Sequence, residues 1–271
     1  LAKALIQAIR SIVRSRGFDV VRYRPTTLES ELQGAITTLA RLRELAAEHL
    51  DRNDLAFIEY CATHFRDSKA QIFQDLFVQY ALRDRRDGFF VEFGATNGVA
   101  LSNTFLLEKQ YGWNGVLAEP AKIWHADLRK NRNCILDFRS VWDKDDEQLE
   151  FNQADIAELS TINSFADSDF HAAARRKGEI YSVTTVSLNS LLRQHDAPTN
   201  IDYMSVDTEG SELKILSAFD FSRYRVRVIT VEHNYTPDRE RIHALLTSKG
   251  FTRKFESLSF WDDWYVASGE A

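Results

Sequence analysis

Four acids stand in or directly after apolar runs that read as strands. They are Glu92 in Phe89-Phe90-Val91-Glu92-Phe93, Glu119 after Gly115-Val116-Leu117-Ala118, Asp207 after Ile201 to Val206, and Glu232 after Val226 to Val231. A carboxylate in such a place is costly unless something partners it. The first run leads at once into Gly94-Ala95-Thr96-Asn97-Gly98, a tight glycine-bounded turn, and then into a helix pattern from Leu101 to Lys109 with Ser102 placed to cap it. Strand, glycine turn and helix are how an α/β fold brings bare backbone N–H groups against a nucleotide-like ligand. Glu92 calls for a ligand that is both nucleoside and cation. S-adenosylmethionine (SAM) is such a ligand, and methyl transfer is the chemistry it implies.

The other acids extend this pattern. Glu119 follows Gly94 by 25 residues, at the end of the next strand, where a carboxylate accepts both ribose hydroxyls. The turn has Thr96 where a G-x-G-x-G loop has its middle glycine, so by itself it is no more than a turn. Asp207-Thr208-Glu209-Gly210-Ser211-Glu212 places two carboxylates and a glycine at the lip of the ligand crevice of an open sheet. Glu232-His233-Asn234 lies beside Asp207 if the two strands are neighbours.

The elements that must position these groups alternate strand and helix from residue 89 onward, which argues for a doubly wound α/β fold with a mostly parallel sheet. A helix is expected over 121–131, a third strand over 133–138, further strands or edge pieces at 149–151 and 182–186, and a helix through Leu213 and Leu216. Another helix is expected over 237–249, then a closing antiparallel hairpin from 251–255 and 261–267. Residues 154–180 are polar and weakly patterned; they read as an irregular insertion that covers the substrate. Within them His171, Arg175, Arg176 and Lys177 form a basic cluster, facing either a phosphate or carboxylate or simply solvent. Upstream, residues 28–82 are helical throughout, with breaks near 51–54 and 67–68. Residues 1–16 form an amphipathic basic helix, either packed on its own protein or lying on an anionic membrane. The expected division is a helical extension over 1–64 and a catalytic domain over 65–271.

Composition bounds the function. The chain of 271 residues is 44% hydrophobic and 27% charged, as expected for a soluble globular protein. Cys61 and Cys134 make no C-x-x-C pair, which fits a reducing, cytoplasmic setting. No apolar run approaches the roughly 18 residues of a membrane span. Residues 1–24 carry six basic side chains against Asp19, so the remainder holds −11 of the net −6. An acidic body argues against a nucleic-acid partner; polar small molecules or glycans are the expected substrates, with peripheral membrane contact through residues 1–24 and a homo-oligomer left open.

In combination these segments are recognisable. Phe90-Val91-Glu92-Phe93-Gly94-Ala95 with Asn97-Gly98, then Trp113 to Pro120, Ser205 to Glu212, and Val231-Glu232 resemble the FkbM-type family of SAM-dependent methyltransferases. Ser68, Gln71, Gln74 and Asp75 resemble it too, and the likeness spans roughly 65–267. The resemblance implies a Rossmann-like sheet of seven strands with the last antiparallel, and O-methylation of hydroxyls on sugars, glycans or glycosylated metabolites. By matching position, Glu92 and Gly94, Ala95, Thr96, Asn97 and Gly98 would hold the methionine part of SAM, and Glu119 with Pro120 the ribose. Ser140 and Val141 would border the adenine, and Asp207 and Glu209 would complete the site.

A sugar hydroxyl needs its proton removed before it attacks a methyl group, by a general base or with help from a metal. His233 is the expected base among the seven histidines, although it reads equally well as a histidine bonded within a turn; Asp207 is the second candidate. Alternatively Asp207, Glu232 and Asn234 offer oxygen ligands suited to Mg²⁺. Two other classes share parts of the pattern. A dinucleotide-dependent oxidoreductase is disfavoured by Thr96 in the turn, and a catalytically silent adaptor by the presence of all the acids.

Overall fold

The computed structural model describes residues 51–167 and 171–269, with residues 30, 33–38, 40 and 41. The amphipathic helix expected over 1–16 and the extended piece at 18–23 lie outside the described residues. Residues 33–38 are helical and exposed. Helix α1 (Arg52–His64) begins where Asp51 accepts the N–H groups of Asn53 and Asp54 at 2.7 and 2.8 Å, an N-cap interaction that explains the break expected there. Helix α2 (Gln74–Ala81) follows.

Seven strands form the main sheet: β1 (Phe89–Phe93), β2 (Asn114–Ala118), β3 (Ile135–Asp137), β8 (Asn200–Val206), β9 (Arg225–Glu232), β10 (Phe251–Lys254) and β11 (Asp262–Ala267). Their order is β10-β11-β9-β8-β1-β2-β3. Strand β1 is parallel to both β2 and β8, β8 is parallel to β9, and β11 runs antiparallel to β9 and β10. The last strand is therefore the one that runs against its neighbours, as expected. The order reverses at β1, where the chain crosses to β2 on one side and β8 lies on the other. Such a reversal opens a crevice beyond the carboxyl ends of the strands.

Side chains alternate across the sheet and build two cores. Val91, Phe93, Met204, Val206 and Ile229 face α6 (Leu188–Gln194), α7 (Glu212–Ala218) and α8 (Asp238–Ser248), which contribute Leu191, Ile215, Leu216 and Leu246. Phe90, Leu117, Tyr203 and Val228 face the other way, toward α2, α3 (Phe105–Tyr111) and α4 (His125–Asn131). Burying each such large apolar side chain contributes about 1.5–3 kcal/mol.

Two expectations are corrected. Helix α3 begins at Phe105 rather than near Leu101, because Ser102, Asn103 and Thr104 wrap around the Glu92 carboxylate; Ser102 Oγ accepts the N–H groups of Thr104 and Phe105 at 3.3 and 3.2 Å from this turn. The strands expected at 149–151 and 182–186 are present as β5 (Gln148–Gln153) and β7 (Glu179–Ser187), but not in the main sheet. With β4 (Ser140–Trp142) and β6 (Thr161–Ile162) they form a second sheet ordered β4-β7-β5-β6. It has its own core of Trp142, Phe151, Ile162 and Val183, so the insertion is anchored rather than irregular. No helix among the described residues is long and apolar enough to cross a membrane.

Candidate active site

Beyond the carboxyl ends of β1, β2, β8 and β9 lies a cavity of about 230 Å³. Its wall includes Gly94, Thr96, Glu119, Pro120, Ser140 and Val141 on the β1–β4 side, and Asp207, Thr208, Glu209, Glu232 and Asn234 on the β8–β9 side. The segment after β5 closes over it with Leu159, Ser160, Ile162 and His171, joined by Trp124, Phe151 and Trp261.

Backbone forms the floor. Gly94 has φ +84°, and a Cβ there would stand 2.0 Å from the Asp207 carbonyl oxygen, so the ends of β1 and β8 approach as closely as they do because residue 94 has no side chain. Gly98 serves packing instead: a Cβ there would meet Arg132 Cγ at 2.7 Å. Glu119 is buried. Its Oε2 accepts the Thr96 N–H at 2.9 Å and its Oε1 the Ala121 N–H at 2.8 Å. Burial raises its pKa to about 7 against the pull of those two N–H groups, so near neutral pH it is poised between carboxylate and acid.

The opposite wall is a group of acids. Carboxylate oxygens of Asp207, Glu209 and Glu232 lie within 4.8 Å of one another. Asp207 and Glu232 share a hydrogen bond; burial, then the charge of Asp262, pushes Asp207 up to about 8, and burial, then Asp207, pushes Glu232 well above the usual carboxylate range. The pair therefore retains a proton near neutral pH. Glu232 Oε2 is buried and has no hydrogen-bond partner among the described residues. Behind them Asp262 accepts Gln74 Nε2 at 2.9 Å, and burial raises it to about 7.

Five residues expected at the site do not line the cavity. Glu92 points into the core beneath it, where Arg132 Nη1 lies 3.7 Å from its Oε2, the Asn103 N–H donates at 2.7 Å, and the hydroxyls of Ser102 and Thr104 complete the shell. The buried Glu92 carboxylate, for which burial demanded a partner, thus has one within the chain, Arg132. Ala95 is buried in the same core, and Asn97 Oδ1 is taken by the N–H groups of Val99 and Ala100. Gly98 packs on Arg132 as above. His233 is not among the residues that line the cavity: Nδ1 accepts the Tyr235 N–H at 3.0 Å and Nε2 sits 3.7 Å from Asp263. Burial lowers its pKa below the usual imidazole range. These contacts match the reading of His233 as a histidine bonded within a turn. Asn234 remains on the wall and gives its Nδ2 to Glu209 at 3.3 Å, so Glu209 stands beside the expected oxygen donors Asp207, Glu232 and Asn234.

Sequence reasoning missed Arg132, Asp262 and Trp261. An arginine at the end of a surface helix carries no signal of its own until it is known to be buried. Arg175, read as one of a basic cluster facing either an anionic group or solvent, is fully buried and ion-paired to the Glu209 carboxylate of the chain itself at 2.7 Å.

A family model described as the methyltransferase FkbM domain matches residues 92–264. No curated protein matches the chain. Among solved structures, a precorrin-6y C5,15-methyltransferase from Geobacter metallireducens GS-15 is 12% identical, with 66% of this chain and 71% of that chain covered at a TM-score of 0.36. The CurJ carbon methyltransferase is 11% identical, covering 97% of this chain and 79% of its own, at a TM-score of 0.32.

Proposed function

The chain belongs to the methyltransferase FkbM domain family, and from that premise we propose that it is a SAM-dependent O-methyltransferase acting on a hydroxyl of a sugar, a glycan or a glycosylated metabolite. The residues present fit SAM: Gly94 leaves bare backbone at the cavity floor, and Glu119 offers a carboxylate at the neighbouring strand end. When bound, SAM supplies an electrophilic methyl group on a sulfonium. Glu119 and the Gly94–Thr96 backbone would hold the nucleoside and methionine parts, while Ser140 and Val141 border the remaining wall.

The observation that carries O-methylation is the Asp207–Glu232 pair, which faces the cavity with raised proton affinity. A hydroxyl bound beside Asp207 can pass its proton to Asp207 as it attacks, in the fraction of molecules in which that carboxylate is ionised. A general base contributes most when its pKa lies near the working pH, and about 8 meets that condition. Positioning the hydroxyl in line with the methyl group supplies the rest.

A second reading uses the same acids. Asp207, Glu209 and Glu232 form an all-oxygen donor set of the kind that holds Mg²⁺, and a cation there would lower the pKa of the hydroxyl. The proposal extends to a cytoplasmic enzyme with its catalytic unit over 65–271.

The test is methyl transfer from labelled SAM to a panel of free sugars, nucleotide sugars and glycans, with products placed by mass spectrometry. A methyl group on a sugar oxygen supports the reading. Transfer only to nitrogen or carbon acceptors would overturn it.

A further inference from the structure

Arg175 has no exposed side-chain surface, although it lies on α5 (Ala172–Arg175), a four-residue helix within the segment that covers the cavity. Its Nη2 donates to Glu209 Oε2 at 2.7 Å and its Nε to the Leu159 carbonyl at 2.7 Å. One guanidinium therefore joins α5, the Ala157–Leu159 turn on the cavity wall, and the turn that follows β8. Further bonds grip the same place. Thr161 Oγ1 donates to the Glu209 carbonyl at 2.8 Å, Asn234 Nδ2 to Glu209 Oε2 at 3.3 Å, and Asn152 Nδ2 to the Arg175 carbonyl at 3.2 Å. Glu209 itself has φ +58°, a conformation that a residue with a side chain keeps only when its surroundings hold it there.

The buried cation also sits where the acids converge, since Glu209 shares its neighbourhood with Asp207 and Glu232. A planar guanidinium bonds Glu209 and Leu159 at once; an ammonium is a point donor on a flexible stem and cannot reproduce that fork. We propose that Arg175 is a positioning residue whose ion pair with Glu209 ties the cover of the cavity, residues 157–162, to the strand-end turn 208–210, and so fixes the methyl-acceptor side before the acceptor arrives. This rests on the reading that the acceptor side lies beside Asp207.

The experiment is hydrogen exchange on the full chain without ligand, for Arg175→Met, Glu209→Ala, the double variant and Arg175→Lys. Exchange at 157–162 and 208–212 is expected to quicken at least tenfold in each of the first two, with β1 and β8 unchanged. The double variant should match the singles, because the tie is broken once, and Arg175→Lys should fall between. In parallel, the dissociation constant of Arg175→Met for S-adenosylhomocysteine should stay within threefold, since Gly94 and Glu119 are untouched. Exchange that rises evenly through the whole sheet, effects that add in the double variant, or a tenfold loss of S-adenosylhomocysteine affinity would each overturn the proposal. Should Arg175→Met fail to fold, Glu209→Ala carries the same test from the other partner. None of these readouts uses turnover, so a failure here is distinct from a failure of the O-methylation reading.

Discussion

Arg132 Nη1 lies 3.7 Å from Glu92 Oε2, with the arginine side chain fully buried and the glutamate nearly so. The same guanidinium donates to the Gly98 carbonyl at 3.2 Å, Ser102 Oγ at 3.1 Å, Thr104 Oγ1 at 2.9 Å and Glu108 Oε2 at 2.7 Å. The loop between β1 and α3 is thereby held from beneath, while Gly94 and Thr96 line the cavity above with their N–H groups given to the Ala118 carbonyl at 3.2 Å and Glu119 Oε2 at 2.9 Å. The Arg132 charge, together with the Lys109 and Asn133 contacts, outweighs burial at Glu108 and holds it down to about 2.

Removing that cation should be costly. Arg132→Met leaves Glu92 buried and unpaired, and losing one partner of a buried pair costs about 3–5 kcal/mol. Urea denaturation is expected to show this loss, and adding Glu92→Gln should recover part of it. An unshifted midpoint would mean that the hydroxyls and the Asn103 N–H suffice for Glu92.

Glu119→Ala is expected to weaken S-adenosylhomocysteine binding at least tenfold in calorimetry, since each hydrogen bond to a charged group is worth about 1.5–3 kcal/mol. The pH dependence has a definite sign. Glu119 has its pKa raised to about 7 in the fold, so it takes up a proton as pH falls through 7 and loses an acceptor site. Affinity of the unaltered chain should decline from pH 8 to pH 6, and the Glu119→Ala variant should lose that part of the slope. Equal affinity in the two chains removes Glu119 from the ligand.

The ligand-free fold should lose stability as pH rises from the ordinary carboxylate range to about 8. Asp207, Glu119 and Asp262 have folded pKa values of about 8, 7 and 7, all above their unfolded values. The native state thus holds protons that the unfolded chain has released, and each such group lowers stability with increasing pH by at most about 1.4 kcal/mol per unit. Glu108, held down to about 2, acts the other way: its contribution is present above its unfolded pKa and lost as pH falls toward 2. Urea midpoints between pH 5 and 8.5 should fall, and Asp207→Asn should flatten the trend. A rising trend would contradict the retained protons.

Methyl transfer should separate Asp207 from His233. Asp207→Asn is expected to abolish turnover, whereas His233→Gln should keep the rate within about tenfold, short of the roughly 10²–10⁴ that a general base contributes. Its cost should appear as lowered stability through the lost Tyr235 contact. EDTA decides the role of the acids: activity that survives chelation leaves the Asp207–Glu232 pair as proton acceptor, while loss restored by Mg²⁺ makes Asp207, Glu209 and Glu232 ligands. A collapse of rate in His233→Gln would return the histidine to the reaction.

The alternation of strand and helix from residue 89, the antiparallel last strand and the strand-end positions of Glu119, Asp207, Glu209 and Glu232 were all legible in the sequence. Each is a local matter. Apolar period and glycine placement decide where a strand stops, and in a parallel sheet strand ends gather on one edge. Tertiary structure alone decided what the side chains there face. Glu92 and His233 carry the same local signals as Glu119 and Asp207, but alternation across the sheet turns Glu92 into the core toward Arg132. The turn after β9 leaves His233 against Asp263. Arg175, which the sequence left facing either an anion or solvent, is buried against Glu209, a residue 34 positions away. A charged group's partner is chosen by contacts between residues far apart in the chain, and no spacing along the chain records them.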